Sequence, residues 1–160
     1  MKFPVLLKMT GVLALLFPIF LKAELPPDAY QKFQDESPEK LEISIIALTT
    51  KQTEREHRTI RRLDPQAEVQ KIATTKIEAQ AKVQKVFRTA SHLTAGQIIN
   101  IHYQIKAYHP VICGPSQPMH VKTSETYIAY LKAGDGFYSL GAMGRSFIPA
   151  EVYYKYHMEE

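Results

Sequence analysis

Two histidines and a cysteine fall close together on a proline-rich stretch of this chain: His109, Cys113 and His120, with His102 a few residues upstream. Two imidazoles and a thiolate make a donor set for a soft or borderline ion such as copper or zinc. The spacing fits no zinc module, and polar residues scattered around Pro110, Gly114-Pro115 and Pro118 account for the same pattern without a metal. A centre at His109, Cys113 and His120 is therefore one of two readings of this loop. Cys113 is the only cysteine, so the chain forms no internal disulfide. A buried small hydrophobe, a free thiol and an intermolecular partner all remain open for it.

Other chemistry is hard to find. The chain has no Gly-x-Ser-x-Gly, His-Glu-x-x-His or Cys-x-x-Cys motif and no glycine-rich phosphate loop. Gly134-Asp135-Gly136 reads as a turn, since a calcium loop needs many more oxygen ligands. Ser146 lacks the strand-turn-helix setting of an activated nucleophile, and no two acids stand out as an acid/base pair. The expectation is a non-catalytic protein without a cofactor. Tyrosines form the second feature, because all but Tyr30 lie between Tyr103 and Tyr156. A ring with an apolar body and a polar tip suits an interface. Tyr108, Tyr127 and Tyr130 are the candidates for a ligand or partner surface. Tyr127 and Tyr130 point to opposite faces of one strand, so only one of them can face outward.

The elements that must carry these residues are mostly strands. Pro26-Pro27-Asp28 starts a short helix over Ala29 to Glu36, stopped by Ser37-Pro38. Leu41, Ile43 and Ile45 alternate with polar residues, which predicts a strand over 41–50. Lys51 to Arg62 is highly charged without a clear alternation and reads as a long exposed connection. Ala67 to Arg88 has helix-forming composition. Its second half nevertheless alternates through Ile77, Ala79, Ala81 and Val83, with a one-residue slip before Val86 and Phe87 that fits a bulge. The alternation decides for strand over Thr75 to Arg88 and leaves Ala67 to Thr75 open. Ile99, Ile101, Tyr103, Ile105 and Ala107 alternate next, so the two runs predict a hairpin joined through Ala95-Gly96. Further strands are expected over Met119 to Lys132 and Phe137 to Met143, around a turn at 133–136. Ala150 to Tyr156 reads as a short helix or strand.

The first 23 residues have another purpose. Lys2 and Lys8 precede an uncharged apolar run from Met9 to Leu21, and Lys22-Ala23 leads to Glu24. That order predicts a cleaved secretory signal over residues 1–23. The run is shorter than the roughly 20 apolar residues of a membrane span and contains Pro18, so no span is expected after cleavage. Residues 24–40 are a helical lead-in and residues 41–160 one domain, secreted or periplasmic. Whole, the chain carries 20 Lys and Arg against 16 Asp and Glu. Lys2, Lys8 and Lys22 leave with the signal, so 17 basic residues face 16 acidic ones in the remainder. This near-neutral balance and the expected export argue against a nucleic-acid partner. A protein or another envelope component is the expected partner.

The order of these elements resembles a known family. It runs from Lys76-Ile-Glu-Ala-Gln-Ala-Lys-Val-Gln-Lys-Val-Phe-Arg88 through Leu93-Thr-Ala-Gly96 to Ile98-Ile-Asn-Ile-His-Tyr103. The Gly114-Pro115 loop, Glu125-Thr-Tyr-Ile-Ala-Tyr-Leu131 and Phe137-Tyr-Ser-Leu follow. Over 41–148 this is similar to the netrin-like, tissue-inhibitor-of-metalloproteinase-like OB barrels found in exported bacterial proteins. The resemblance implies a mainly β chain, a small five-stranded OB-like barrel with a short N-terminal helix, acting as a binding module. Inhibitors of that group chelate a target's zinc through an N-terminal cysteine; this chain would begin near Glu24 and has none there, so neither that mechanism nor the group's disulfides are implied. The reading is an exported binding or interaction module. Metal handling through the loop histidines and Cys113, and an enzyme of unrecognised type, are the alternatives.

Overall fold

A computed structural model describes residues 25–59, 68–109 and 116–157. The expected signal segment, residues 1–23, and Cys113 lie outside the described residues. Helix α1 (Pro27–Glu36) is followed by β1 (Glu39–Thr59), β2 (Glu68–Arg88), β3 (Ile98–His109), β4 (Thr126–Ala133) and β5 (Tyr138–Leu140). A 3-10 turn (Met143–Arg145), β6 (Phe147–Pro149) and α2 (Ala150–His157) complete the order.

The strands pair in the order β1-β2-β3-β5-β4, and β4 pairs back onto β1, which closes a ring of five. The β3–β5 contact is parallel and every other pairing antiparallel. The chain is thus mainly β, with an OB-like barrel and short helices. Short β6 lies outside the ring and pairs with β4.

The alternation that marks the strands also fills the barrel. Leu41, Ile43 and Ile45 of β1, Ile77, Ala79, Ala81 and Val83 of β2, and Ile99, Ile101 and Tyr103 of β3 are buried in one cluster with Tyr127, Ala129 and Leu131 of β4. Each fully buried Ile or Leu contributes about 1.5–3 kcal/mol. Small Ala79 and Ala81 leave room for the branched side chains opposite. Central β4 is buried on both faces: Ile128 and Tyr130 turn away from the barrel and pack with Ala142 and Tyr153 in a second cluster under α2.

β1 and β2 are each 21 residues long and stay paired out to Thr59↔Glu68. The expected exposed connection over 51–62 is therefore strand as far as Thr59, and the stretch after Ala67 left open between helix and strand is strand from Glu68. From Lys51 to Glu56 the side chains of both faces are exposed, so this part of the extension needs no apolar alternation. The threonines at 49, 50, 53, 74 and 75, with Ile72, supply strand propensity. Ile43 pairs with Val83 and Glu42 with Lys85, which leaves Gln84 as the bulge expected before Val86; a second irregularity, between Leu41↔Val86 and Lys40↔Arg88, passes over Phe87. Phe87 then packs against Tyr153 of α2, with ring centroids 6.1 Å apart.

The strand expected from Met119 starts only at Thr126. Two phenols hold the irregular stretch before it. The Tyr103 hydroxyl donates to the Met119 carbonyl at 3.0 Å and accepts the Val121 N–H at 3.3 Å. The Tyr127 hydroxyl donates to Glu125 Oε2 at 2.6 Å and accepts the Lys122 N–H at 3.1 Å. The strand expected over 137–143 shortens to Tyr138–Leu140, because Gly141 to Ser146 coils through the 3-10 turn. Gly144 fits there because a Cβ would lie 2.2 Å from the Ser116 carbonyl oxygen.

These phenols have a measurable consequence. Burial and then the Glu125 carboxylate push the Tyr127 pKa up to about 12. The hydrogen bond to the Glu42 carboxylate, then burial, does the same for Tyr154, also to about 12. A pKa raised by folding contributes stability that is complete below the ordinary tyrosine value near 10 and is lost as pH rises toward 12. Near-ultraviolet phenolate absorbance should show a late-titrating set of tyrosines, with stability to urea falling through the same pH window. Uniform titration at the ordinary value would contradict these contacts.

Candidate binding surface on the outer face of β1, β2 and β3

Residues directly opposite on paired strands share a face of the sheet. The interior residues fix which face is which, and the rows between them form the outer face. Thr49, Glu78 and His102 make one row; Lys51, Lys76 and Gln104 the next; then Thr53, Thr74 and Lys106; then Arg55, Ile72 and Tyr108. Lys82 and Ile98 are paired nearer the start of β3, with Ile98 62% exposed. From Lys82 to Ile72 the face runs ten residues along β2, or about 33 Å.

Its charge is one-sided. Lys51, Arg55, Lys76, Lys82 and Lys106 lie on it, against Glu78. None of these cations makes an ion pair among the described residues. Lys51 sits directly across from Lys76, a like-charge cross-strand arrangement that disfavours the sheet. A hollow of about 490 Å³ lies over the outer rows, among Thr74, Lys76, Lys106 and Tyr108. Glu56 reaches its rim but is 3.7 Å from Lys71. A smaller hollow of about 290 Å³ continues between Thr49, Glu78, Asn100 and His102. Here the β4–β5 loop contributes an aromatic surface, as Phe137 stacks on His102 at 4.6 Å and 13°. Gly136, at φ +77°, lets the chain turn just before Phe137. OB barrels use this part of the fold for binding: the outer face around strands 2 and 3, with the β1–β2 and β4–β5 loops.

The residues singled out from the sequence are dispersed. Tyr108 is half-buried on this outer face, opposite Ile72. Tyr127 turns into the barrel and is 1% exposed, so its ring is no part of a surface. Tyr130 does point to the other side of β4, but Ile128, Ala142, Tyr153 and the helices cover it to 5%. His109 is exposed at the end of β3 and His120 is exposed before β4. Among the described residues no three His, Cys, Asp or Glu side chains are grouped to hold an ion. The basic residues of the face escape a sequence reading because Lys51 and Arg55 fall where charge hides the strand. The recoverable signal is the period-two series Thr49, Lys51, Thr53, Arg55.

Among the described residues no helix is long and apolar enough to cross a membrane. The chain matches no family model, no curated protein and no solved structure.

Proposed function

We propose that this chain is an exported, non-catalytic binding module whose outer β1–β3 face takes an extended acidic partner of the cell envelope, a polymer or an acidic protein segment. The observation that carries this reading is the basic rows, which make no ion pair among the described residues, above all Lys51 directly opposite Lys76. A fold gains nothing from two adjacent ammonium groups that make no ion pair among the described residues, whereas a run of anionic groups laid across them neutralises both. Departures from local sheet rules of this kind gather at functional sites. Lysines act as point charges on flexible stems and suit a partner with diffuse charge better than one read by fixed geometry. His102, Phe137 and Tyr108 add ring surface for the partner's apolar parts. Export rests on residues 1–23, and the resemblance to netrin-like barrels supports a binding role.

Retention of residues 24–160 on immobilised polyglutamate and polyphosphate tests the reading. The protein should bind at low ionic strength and elute progressively with salt, because screening acts on exposed charge pairs. Equal elution from a matched uncharged matrix would overturn it.

A further inference from the structure

We propose that the hollow between α1 and α2 is a second ligand site, which binds a small amphipathic anion: one carboxylate on an apolar body. This goes beyond the outer-face reading and is independent of it. The hollow has a volume of about 720 Å³ and lies against β4 and β6, on the side of the sheet away from the barrel core. That size is usual for a small-molecule site, where an apolar lining with a few placed polar groups is also the rule.

The walls supply both halves of such a ligand's complement. Leu25, Pro26, Ile148 and the Tyr130 ring give apolar surface. Lys40 and Arg145 give two cations. The Lys40 ammonium is held among three rings, 5.5 Å from the centroid of Phe87, 5.6 Å from Tyr130 and 5.0 Å from Tyr153. It donates a hydrogen bond to the Tyr153 hydroxyl at 2.9 Å, and an ammonium has three protons to donate. Burial works against its charge, but the hydrogen bond to Tyr153 and the nearby Tyr130 phenol outweigh this and hold the pKa above the ordinary lysine value. The Arg145 guanidinium lies over the Tyr30 ring at 6.0 Å. Neither cation is ion-paired among the described residues. The one acid in the wall, Asp35, already accepts a hydrogen bond from Gln31 at 3.0 Å. Two cations against one carboxylate leave a single positive charge unmatched, facing an apolar wall. A monocarboxylate balances that charge, and its body covers the apolar surface.

Titration of residues 24–160 with dodecanoate and with dodecanol, below their aggregation limits, tests this by calorimetry. Dodecanoate should bind at one site and the alcohol at least about tenfold more weakly, the loss expected for a charge-assisted contact. Arg145→Gln should weaken dodecanoate by about the same factor, and so should Lys40→Met, whereas Lys40→Arg should retain binding. Arg145 is exposed, so its variant reads the site even if Lys40→Met folds poorly. Equal binding of acid and alcohol would overturn the proposal. So would no binding of either, or a dodecanoate affinity that falls with Lys76→Glu on the outer face and not with Arg145→Gln.

Discussion

Glu39→Leu should destabilise the protein by about 2–4 kcal/mol, the cost of leaving two backbone donors without an acceptor. Glu39 is the first residue of β1 and is fully buried. It follows the same alternation as Leu41, Ile43 and Ile45, so it closes one end of the barrel. Its Oε1 accepts the N–H groups of Ala90 at 3.2 Å and Ser91 at 2.9 Å, which fixes the loop between β2 and β3. Its Oε2 is buried and has no partner among the described residues. The same loop is tied to β5 by the Ser91 and Tyr138 hydroxyls, 2.8 Å apart. Leucine fills the space but accepts nothing, and it frees the loop that joins the two strands of the outer face. Glu39→Gln keeps one acceptor and should cost less than half as much. Urea unfolding of the three proteins reads the difference. Equal stability of parent and Glu39→Leu would mean that the desolvation of the carboxylate fully offsets its hydrogen bonds.

The second large effect concerns binding. Reversing Lys51, Lys76 and Lys106 together to Glu should lower affinity for polyglutamate about 100-fold, since each basic side chain near an anionic surface contributes about 1 kcal/mol and reversal adds repulsion. The slope of affinity against salt should flatten in parallel. Lys32→Glu on α1, where the side chain is 71% exposed, should leave affinity within about twofold, because screening over roughly 8–10 Å isolates it. Lys76→Glu alone should bind more weakly yet be slightly more stable, by about 0.2–1 kcal/mol, since it turns the Lys51–Lys76 repulsion into an opposite-charge pair. Binding and stability changing in opposite directions at one position would distinguish a functional charge from a structural one. If Lys76→Glu lost stability and kept its affinity, the outer face would not be the site.

The barrel was legible because one face of each strand is buried. Leu41–Ile45, Ile77–Val83 and Ile99–Tyr103 all alternate, and the slip between Val83 and Val86 marks the bulge at Gln84. The extension of β1 and β2 was hidden for the opposite reason: with solvent on both faces from Lys51 to Glu56, the sequence there carries no apolar period. Met119 to Glu125 looks like strand, with Val121 buried, but the hydroxyls of Tyr103 and Tyr127 take its backbone groups in place of a neighbouring strand. Tyr127 and Tyr130 misled as an outer surface because β4 is covered twice, by the barrel below and by α2 above, whereas Tyr108 does lie on the outer face. Composition then recorded only a balanced total, while the pairing register gathered the cations onto one face. Cys113 illustrates the converse limit: its residue type names a chemistry, and the described residues gather no ligand set around His109 or His120.

The most direct test of the outer-face reading is amide chemical-shift mapping by nuclear magnetic resonance, with polyglutamate titrated into residues 24–160. The reading predicts perturbations along 49–55, 72–82 and 98–108 and at Phe137, with α1, α2 and the end of β4 unchanged. Shifts centred on the helices, or scattered evenly over the basic residues of the whole surface, would contradict it.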